Sequence, residues 1–308
     1  MTESFQRYLR AKRTVDDRAL DARLIADLRE ALAARAEDSD GPLRVLEVGA
    51  GIGTMVARFF EWEILPPGAT AYTAVDHQSE NVAELPRYLR SWAADRDVSV
   101  DDAGRTLLGP DRRVDLETVD GDALAHAERT DEEYDLVVGA ALLDIIDRSN
   151  LDALLGTLAP GGTYYFPITF DGETRFYPAH DADRTVERHY HAHMDAKPGG
   201  SSRAGGETLA RLQATPGVSV DAAGSDWVVT PAEAGYPADE AYVLRHILST
   251  VEEAVTEITD GEFEQLDRWI DRRTEQVDAG RLIYLTHQLD LLGRVDDPSR
   301  IASDSARQ

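Results

Sequence analysis

An apolar run that closes on a carboxylate and opens into glycines at every second position, VLEVGAGIGT from Val45 to Thr54, constrains this chain more than any other stretch. LRVLEVG (43–49) has the length and continuous apolarity of a buried strand, and TMVARFFEWEI after it reads as a helix. Gly49, Gly51 and Gly53 make a connecting loop whose backbone can come close to a bound molecule. In a sheet built from such units, that loop lies at the carboxyl edge, where ligands bind.

The same alternation continues along the chain. AYTAVD (71–76), VDLETV (114–119), DLVVGAA (135–141) and GTYYFPITF (162–170) are further strand candidates, with helical segments at 79–96 and 150–162. Alternating strands and helices predict an α/β fold: a doubly wound, mostly parallel, seven-stranded Rossmann-like sheet with helices on both faces. Before it, residues 14–35 read as one helix capped by Thr14, with Leu20, Leu24, Leu28 and Leu32 every fourth position. After it, Asp171–Gly206 fits no element well, carries glycine pairs at 199–200 and 205–206, and reads as an inserted lid hinged at those glycines that closes over the site. GETLARLQ (206–213), 239–258 and 261–278 read as helices, SDWVVTP (225–231) and the start of RLIYLTHQLDLLGRV (281–295) as strands. The expected organisation is therefore a helical segment 1–40, a core 41–170, the lid 171–206, completion of the core 207–295 and a disordered tail 296–308.

Charge bears on the setting more than on the chemistry. The chain holds 58 Asp+Glu against 32 Lys+Arg, a formal net charge of −26, and Lys12 and Lys197 are its only lysines. The acidic residues are spread along the whole length, whereas a binding patch for a basic partner is local. Global acidity of this kind is expected of a protein adapted to a salt-filled cytoplasm, that of a halophile, and it disfavours a nucleic-acid partner. There is no cysteine, which excludes disulfides, thiolate metal sites and cysteine nucleophiles. No apolar run approaches the ~18 residues that span a bilayer, and MTESFQRYLRAKR lacks the apolar stretch of a signal peptide, so a cytoplasmic location is expected. The oligomeric state is not legible.

Three ligands compete for the glycine loop. A phosphate-binding P-loop needs Lys followed by Ser or Thr after its last glycine, and none is present. A dinucleotide fingerprint needs a small residue where Thr54 stands. The form Glu47-Val48-Gly49-Ala50-Gly51-Ile52-Gly53 instead resembles motif I of the class I S-adenosylmethionine-dependent methyltransferases. Asp76 closes the second strand where that family's acidic residue accepts from the ribose hydroxyls. Asp122, in DGDAL, matches the acceptor of the adenine amino group, with Ala123 beside the base. GAALLD (139–144) ends the fourth strand, where methyl group and substrate meet. The resemblance covers residues 40–170 and implies S-adenosylmethionine as cofactor, with Arg18, Glu47, Gly49, Ala50, Gly51, Gly53, Asp76, His77, Asp122, Ala123 and Ala140 around it. Taken singly, Asp76 also reads as a helix cap, Asp122 as a turn residue, and Arg13 or Arg18 as a solvated helix face.

Methyl transfer is an in-line displacement in which positioning supplies much of the rate, and a base helps when the acceptor is a hydroxyl or a protonated amine. The fourth strand lacks the Asn/Asp-Pro-Pro-aromatic ending associated with planar amino groups, which leaves a small-molecule acceptor. His189 and His193 in ERHYHAHMD are the candidate catalytic bases; with His191 they also read as a metal-ligand set or a solvated face. The rival functions are an NAD(P)-dependent oxidoreductase on the same sheet and a non-catalytic S-adenosylmethionine-binding protein.

Overall fold

A computed structural model describes residues 2–147 and 150–305. The N-terminal segment forms α1 (Thr2–Ala11), α2 (Arg13–Ala19) and α3 (Ala22–Glu37). The single helix expected over 14–35 is broken at Leu20–Asp21, because the Asp21 carboxylate accepts from Leu24 N–H at 2.9 Å and starts a new helix. The leucine repeat survives the break, and Leu24, Leu28 and Leu32 are fully buried.

The α/β units follow: β1 (Leu43–Val48), α4 (Thr54–Glu61), β2 (Gly68–Asp76), α5 (Ser79–Ala93), a short hairpin β3 (Ser99–Val100) and β4 (Thr106–Leu108), β5 (Arg112–Asp120), α6 (Ala123–Arg129), β6 (Tyr134–Val138), α7 (Leu151–Leu155) and β7 (Leu158–Tyr177). The rest comprises α8 (Asp183–Ala196), α9 (Ala204–Ala214), β8 (Val218–Gly224), β9 (Trp227–Val229), α10 (Glu240–Ile258), α11 (Leu266–Asp278), β10 (Ile283–Val295) and α12 (Pro298–Ser305). Among the described residues the sheet has ten strands in the order β3-β4-β5-β2-β1-β6-β7-β10-β8, with β9 on β10. β5, β2, β1, β6 and β7 pair in parallel, while β10 is antiparallel to β7, β8 and β9. The fold is thus the expected doubly wound, mostly parallel Rossmann-like sheet, extended by a hairpin at one edge and by β8 and β9 near the other.

Strand periodicity divides the core in two. Val45, Leu136 and Val138 point to the face covered by α3, α4, α5 and α10, whereas Leu46, Val48 and Val137 meet α7, α9 and α12 on the other. Burial on both faces explains the unbroken apolar run of β1. Chain order reverses between β1 and β6, and this switch point opens a crevice beyond their carboxyl ends.

Three expectations need correction. The helix expected over 150–162 stops at Leu155, and Leu158 to Gly162 already belong to β7, which pairs with β6 from Leu158 onward. Asp171–Gly206, where no regular element was expected, is the end of β7, all of α8 and the start of α9. Its glycines are packing positions, since a Cβ on Gly199 would lie 2.4 Å from the Asp147 backbone nitrogen and one on Gly200 2.3 Å from the Met194 carbonyl. The tail expected to be disordered forms α12, with Ile301 buried; residues 306–308 lie outside the described residues.

The charge of −26 makes salt response a direct test of the halophilic expectation. We expect the melting temperature to rise as KCl goes from tens of millimolar to molar, because the screening length falls from about 10 Å at 0.1 M to about 3 Å at 1 M. A flat or falling melting temperature over that range contradicts salt adaptation.

Candidate functional site

The loop after β1 is held open by backbone conformation. Gly49, Gly51 and Gly53 adopt φ of 69°, 56° and 85°, which L side chains rarely occupy. A Cβ on Gly53 would also lie 2.9 Å from Leu85 Cγ. Ala50 N–H donates to the Val75 carbonyl at 3.0 Å and Gly51 N–H to Asp76 Oδ2 at 2.7 Å, tying the loop to the end of β2. In front of it lies a cavity of about 420 Å³ whose walls include Glu47, Gly49, Ala50, Gly51, Asp76, His77 and Ala140. Of the residues expected around the ligand, these come together.

Asp76 is 6% exposed and largely committed to the loop. Its Oδ1 accepts from Gln78 N–H at 2.9 Å and from Asn81 Nδ2 at 3.1 Å, while Oδ2, among the described residues, accepts only from Gly51 N–H. A carboxylate oxygen has two lone pairs, so Oδ1 is saturated and Oδ2 keeps one direction open. A ribose would therefore find one acceptor here, where the motif resemblance implies a carboxylate free for both hydroxyls.

Glu47 lies at the cavity floor, fully buried, and accepts from Tyr72 Oη–H at 2.7 Å. Burial pushes its carboxyl up to about 8, against the Tyr72 hydrogen bond and the Arg58 charge, so it is protonated at neutral pH. Arg58 is 1% exposed. Its Nε donates to Asp17 Oδ1 at 2.6 Å, but Nη2 is buried with no hydrogen-bond partner among the described residues. Lys12 Nζ is 2.7 Å from Asp16 Oδ2, and both residues line the cavity with Arg58. Sequence reasoning missed these cations. The available signals were an arginine inside the apolar helix MVARFFE and a lysine in a chain that otherwise uses arginine.

At the β6 end, Ala141 and Ile168 both line the cavity with positive φ, 51° and 59°. For a β-branched residue this is strained backbone, and Ile168 is held there by its N–H donating to Asp290 Oδ1 at 2.9 Å. Asp144, the last residue of GAALLD, lines the cavity too. Its Oδ1 is buried without a partner among the described residues. Burial raises its carboxyl to about 6, against its own backbone N–H and the Lys12 charge.

Other expected residues lie elsewhere. Arg18 makes a bidentate pair with Glu240 at 2.7 and 3.0 Å and does not line the cavity, because the buried Glu240 carboxylate claims it. Arg13 is engaged by Glu61 and Tyr88. Asp122 is exposed and caps α6, accepting from Ala125 N–H at 2.8 Å, and neither it nor Ala123 lines the cavity. The loop carrying them is tied to the end of β2 by Gly121 N–H, which donates to the Asp76 carbonyl at 3.0 Å.

The histidines are corrected by the helix that carries them. On α8, Tyr190 and Met194 face the cavity, and His189 and His193, one step round the helix, face away. His189 packs on Phe263, with ring centroids 5.5 Å apart, and His193 Nε2 meets Glu257 Oε2 of α10 at 2.9 Å. His191 Nε2 lies 3.0 Å from Thr174 Oγ1. His193→Ala is therefore expected to cost about 1 kcal/mol of stability and leave ligand affinity within about twofold of the parent. Thermal melts and calorimetry check both; a loss of affinity beyond about tenfold would return His193 to the site.

No protein-family model matches the chain, and no curated protein matches it. Among solved structures it is similar to cofactor-bound Rv0187 from MTB, at 13% identity with a TM-score of 0.44, covering 96% of this chain and 90% of that one. It is also similar to a SAM-dependent methyltransferase from Geobacter sulfurreducens in complex with S-adenosyl-L-homocysteine, at 16% identity and a TM-score of 0.40, covering 89% and 91% of the two chains. A third likeness is to the plantazolicin methyltransferase BamL in complex with a triazolic desmethylPZN analog and SAH, at 10% identity and a TM-score of 0.42, covering 96% and 98%.

Proposed function

We propose that the chain is an S-adenosylmethionine-dependent methyltransferase acting on a small-molecule acceptor. The observation that carries this reading is the electrostatics of the crevice at the sheet switch point. Asp16, Asp76 and Asp144 line it, and its two cations, Lys12 and Arg58, are already engaged by aspartates. Such a crevice suits a sulfonium cation and opposes the two negative charges of a pyrophosphate, which sets this reading above the dinucleotide alternative.

The residues fit the group. The glycine loop gives close backbone approach, the open lone pair of Asp76 Oδ2 accepts a ribose hydroxyl, and Arg58 Nη2, which lies 3.8 Å from Asp16 Oδ2 but makes no hydrogen bond among the described residues, suits the amino-acid carboxylate. When bound, S-adenosylmethionine supplies an electrophilic methyl group. Ala140 and Ala141 keep the end of β6 small where the acceptor must approach, and Asp122 remains the candidate for the adenine edge through the carboxylate oxygen that its cap does not use. Among the described residues no helix is long and apolar enough to cross a membrane.

Calorimetric titration with S-adenosylhomocysteine and with NAD tests the reading. Micromolar binding of the former and none of the latter is expected; the reverse order selects the oxidoreductase. Binding without formation of S-adenosylhomocysteine from S-adenosylmethionine on any acceptor would select the non-catalytic alternative.

A further inference from the structure

The same cavity carries an aromatic chamber walled by Phe5, Tyr8, Phe170, Tyr190, Trp227 and Tyr284. These come from α1, α8, β9 and β10, which lie outside the α/β units, and from the far part of β7. Tyr8 stacks on His246 of α10 with centroids 4.0 Å apart, which stiffens one side. Three carboxyl or amide oxygens of the cavity lining are buried with no hydrogen-bond partner among the described residues, Asp16 Oδ1, Asp144 Oδ1 and Gln288 Oε1, as are the Thr286 hydroxyl and the Trp227 Nε1–H. Asp16 already holds Lys12 through Oδ2, which leaves Asp144 and Gln288 as the acceptors open to a ligand. The nearby charges leave a negative surplus. Lys12 serves Asp16 at 2.7 Å, Arg58 serves Asp17 at 2.6 Å, and neither is paired with Asp144.

Donor counting separates the possible acceptors. A hydroxyl brings one hydrogen, which satisfies one buried oxygen and leaves the other orphaned. An ammonium brings up to three, no lone pair that would repel the carboxylate, and a positive charge that aromatic faces attract. The phenols feel the same carboxylate: burial and then the Asp144 charge hold the Tyr190 hydroxyl up to about 12, so it stays a neutral wall.

We propose that the methyl acceptor is an amine, bound as its ammonium by Asp144 Oδ1 and Gln288 Oε1 inside this aromatic wall, with Asp144 accepting the proton that the nitrogen must lose. The inference rests on the methyltransferase reading. The N–H bond breaks with its electron pair remaining on nitrogen, and the proton passes to the Asp144 carboxylate. The freed pair then forms the N–CH₃ bond as the S–CH₃ bond breaks with its pair going to sulfur. Asp144 returns the proton to water when product leaves.

The test uses the full chain and a matched pair of probes, tyramine and tyrosol, which differ only in an ammonium against a hydroxyl. Each is titrated calorimetrically into the protein alone and into the protein saturated with S-adenosylhomocysteine. Tyramine is expected to bind about tenfold or more tightly than tyrosol, and Asp144→Asn to erase that preference while changing tyrosol affinity little. Gln288→Leu is expected to reduce it by a smaller factor, and it carries the comparison if Asp144→Asn does not fold. Equal affinities, a preference for tyrosol, a tyramine preference that survives both substitutions, or binding of neither probe overturns the proposal. The titration of S-adenosylhomocysteine alone keeps the two readings apart. If it does not bind while the tyramine preference depends on Asp144, the methyl-donor reading falls and the amine site stands. If it binds and no preference exists, the amine proposal alone falls.

Discussion

Asp76→Ala is expected to lower affinity for S-adenosylmethionine and S-adenosylhomocysteine by one to two orders of magnitude. A charge-assisted hydrogen bond contributes about 1.5–3 kcal/mol, and Oδ2 offers one open acceptor to a ribose hydroxyl. The same substitution releases Gly51 N–H, Gln78 N–H and Asn81 Nδ2, so part of the loss comes from a loosened loop. Asp76→Asn separates the contributions. It keeps the size and one acceptor oxygen, and it is expected to lose about tenfold. Calorimetry in high salt reads both, beside melts that confirm folding. Unchanged affinity in the two variants would remove Asp76 from the ligand site.

Glu47→Gln is expected to stabilise the protein at alkaline pH and to leave it nearly unchanged in acid. Burial holds the folded carboxyl protonated up to about 8 from an ordinary value of 4.5. Between those values the unfolded chain releases the proton and the folded chain keeps it, so this group's contribution is fully present below the unfolded pKa and is lost as pH rises through the folded one. Raising a carboxyl's pKa by one is worth about 1.4 kcal/mol, which makes the difference a few kcal/mol at pH 8. Glutamine does not titrate and can still accept from Tyr72, so the variant escapes the loss. Denaturant unfolding of parent and variant across pH isolates this effect, because the other 57 carboxylates (58 less this one) are common to both. A stability difference that does not change with pH would mean that Glu47 is ionised in the folded protein.

What was legible in the sequence was local. The glycine spacing, the acid closing β2 and the small residues after β6 each follow from a strand end and its loop, and the structure brings Gly51, Asp76 and Ala140 to one cavity. The long-range parts were not legible. Arg58 of α4, Lys12 between α1 and α2, and Asp144 beyond β6 line one cavity, and their spacing in the chain carries no trace of that. The histidines misled because H-x-H-x-H states a period without a face; on α8 the face that turns inward carries Tyr190 and Met194. Arg18 has the right type for a carboxylate ligand, but Glu240, distant in sequence, takes it. In the fold, β8 escaped notice because VSVDAAG is a small, half-exposed strand at the sheet edge, and β3 and β4 are too short for a two-residue period to emerge.

The central claim is that the crevice between the ends of β1 and β6 holds S-adenosylmethionine, with its reactive end towards the Asp144 chamber. A crystal structure of the protein saturated with S-adenosylhomocysteine tests it most directly. Density is expected in that crevice, with a ribose hydroxyl on Asp76 Oδ2, the carboxylate at Arg58 Nη2 and the sulfur facing Ala140 and Asp144. Density elsewhere on the molecule, or an unfilled crevice in crystals of protein that binds the ligand in solution, would contradict it.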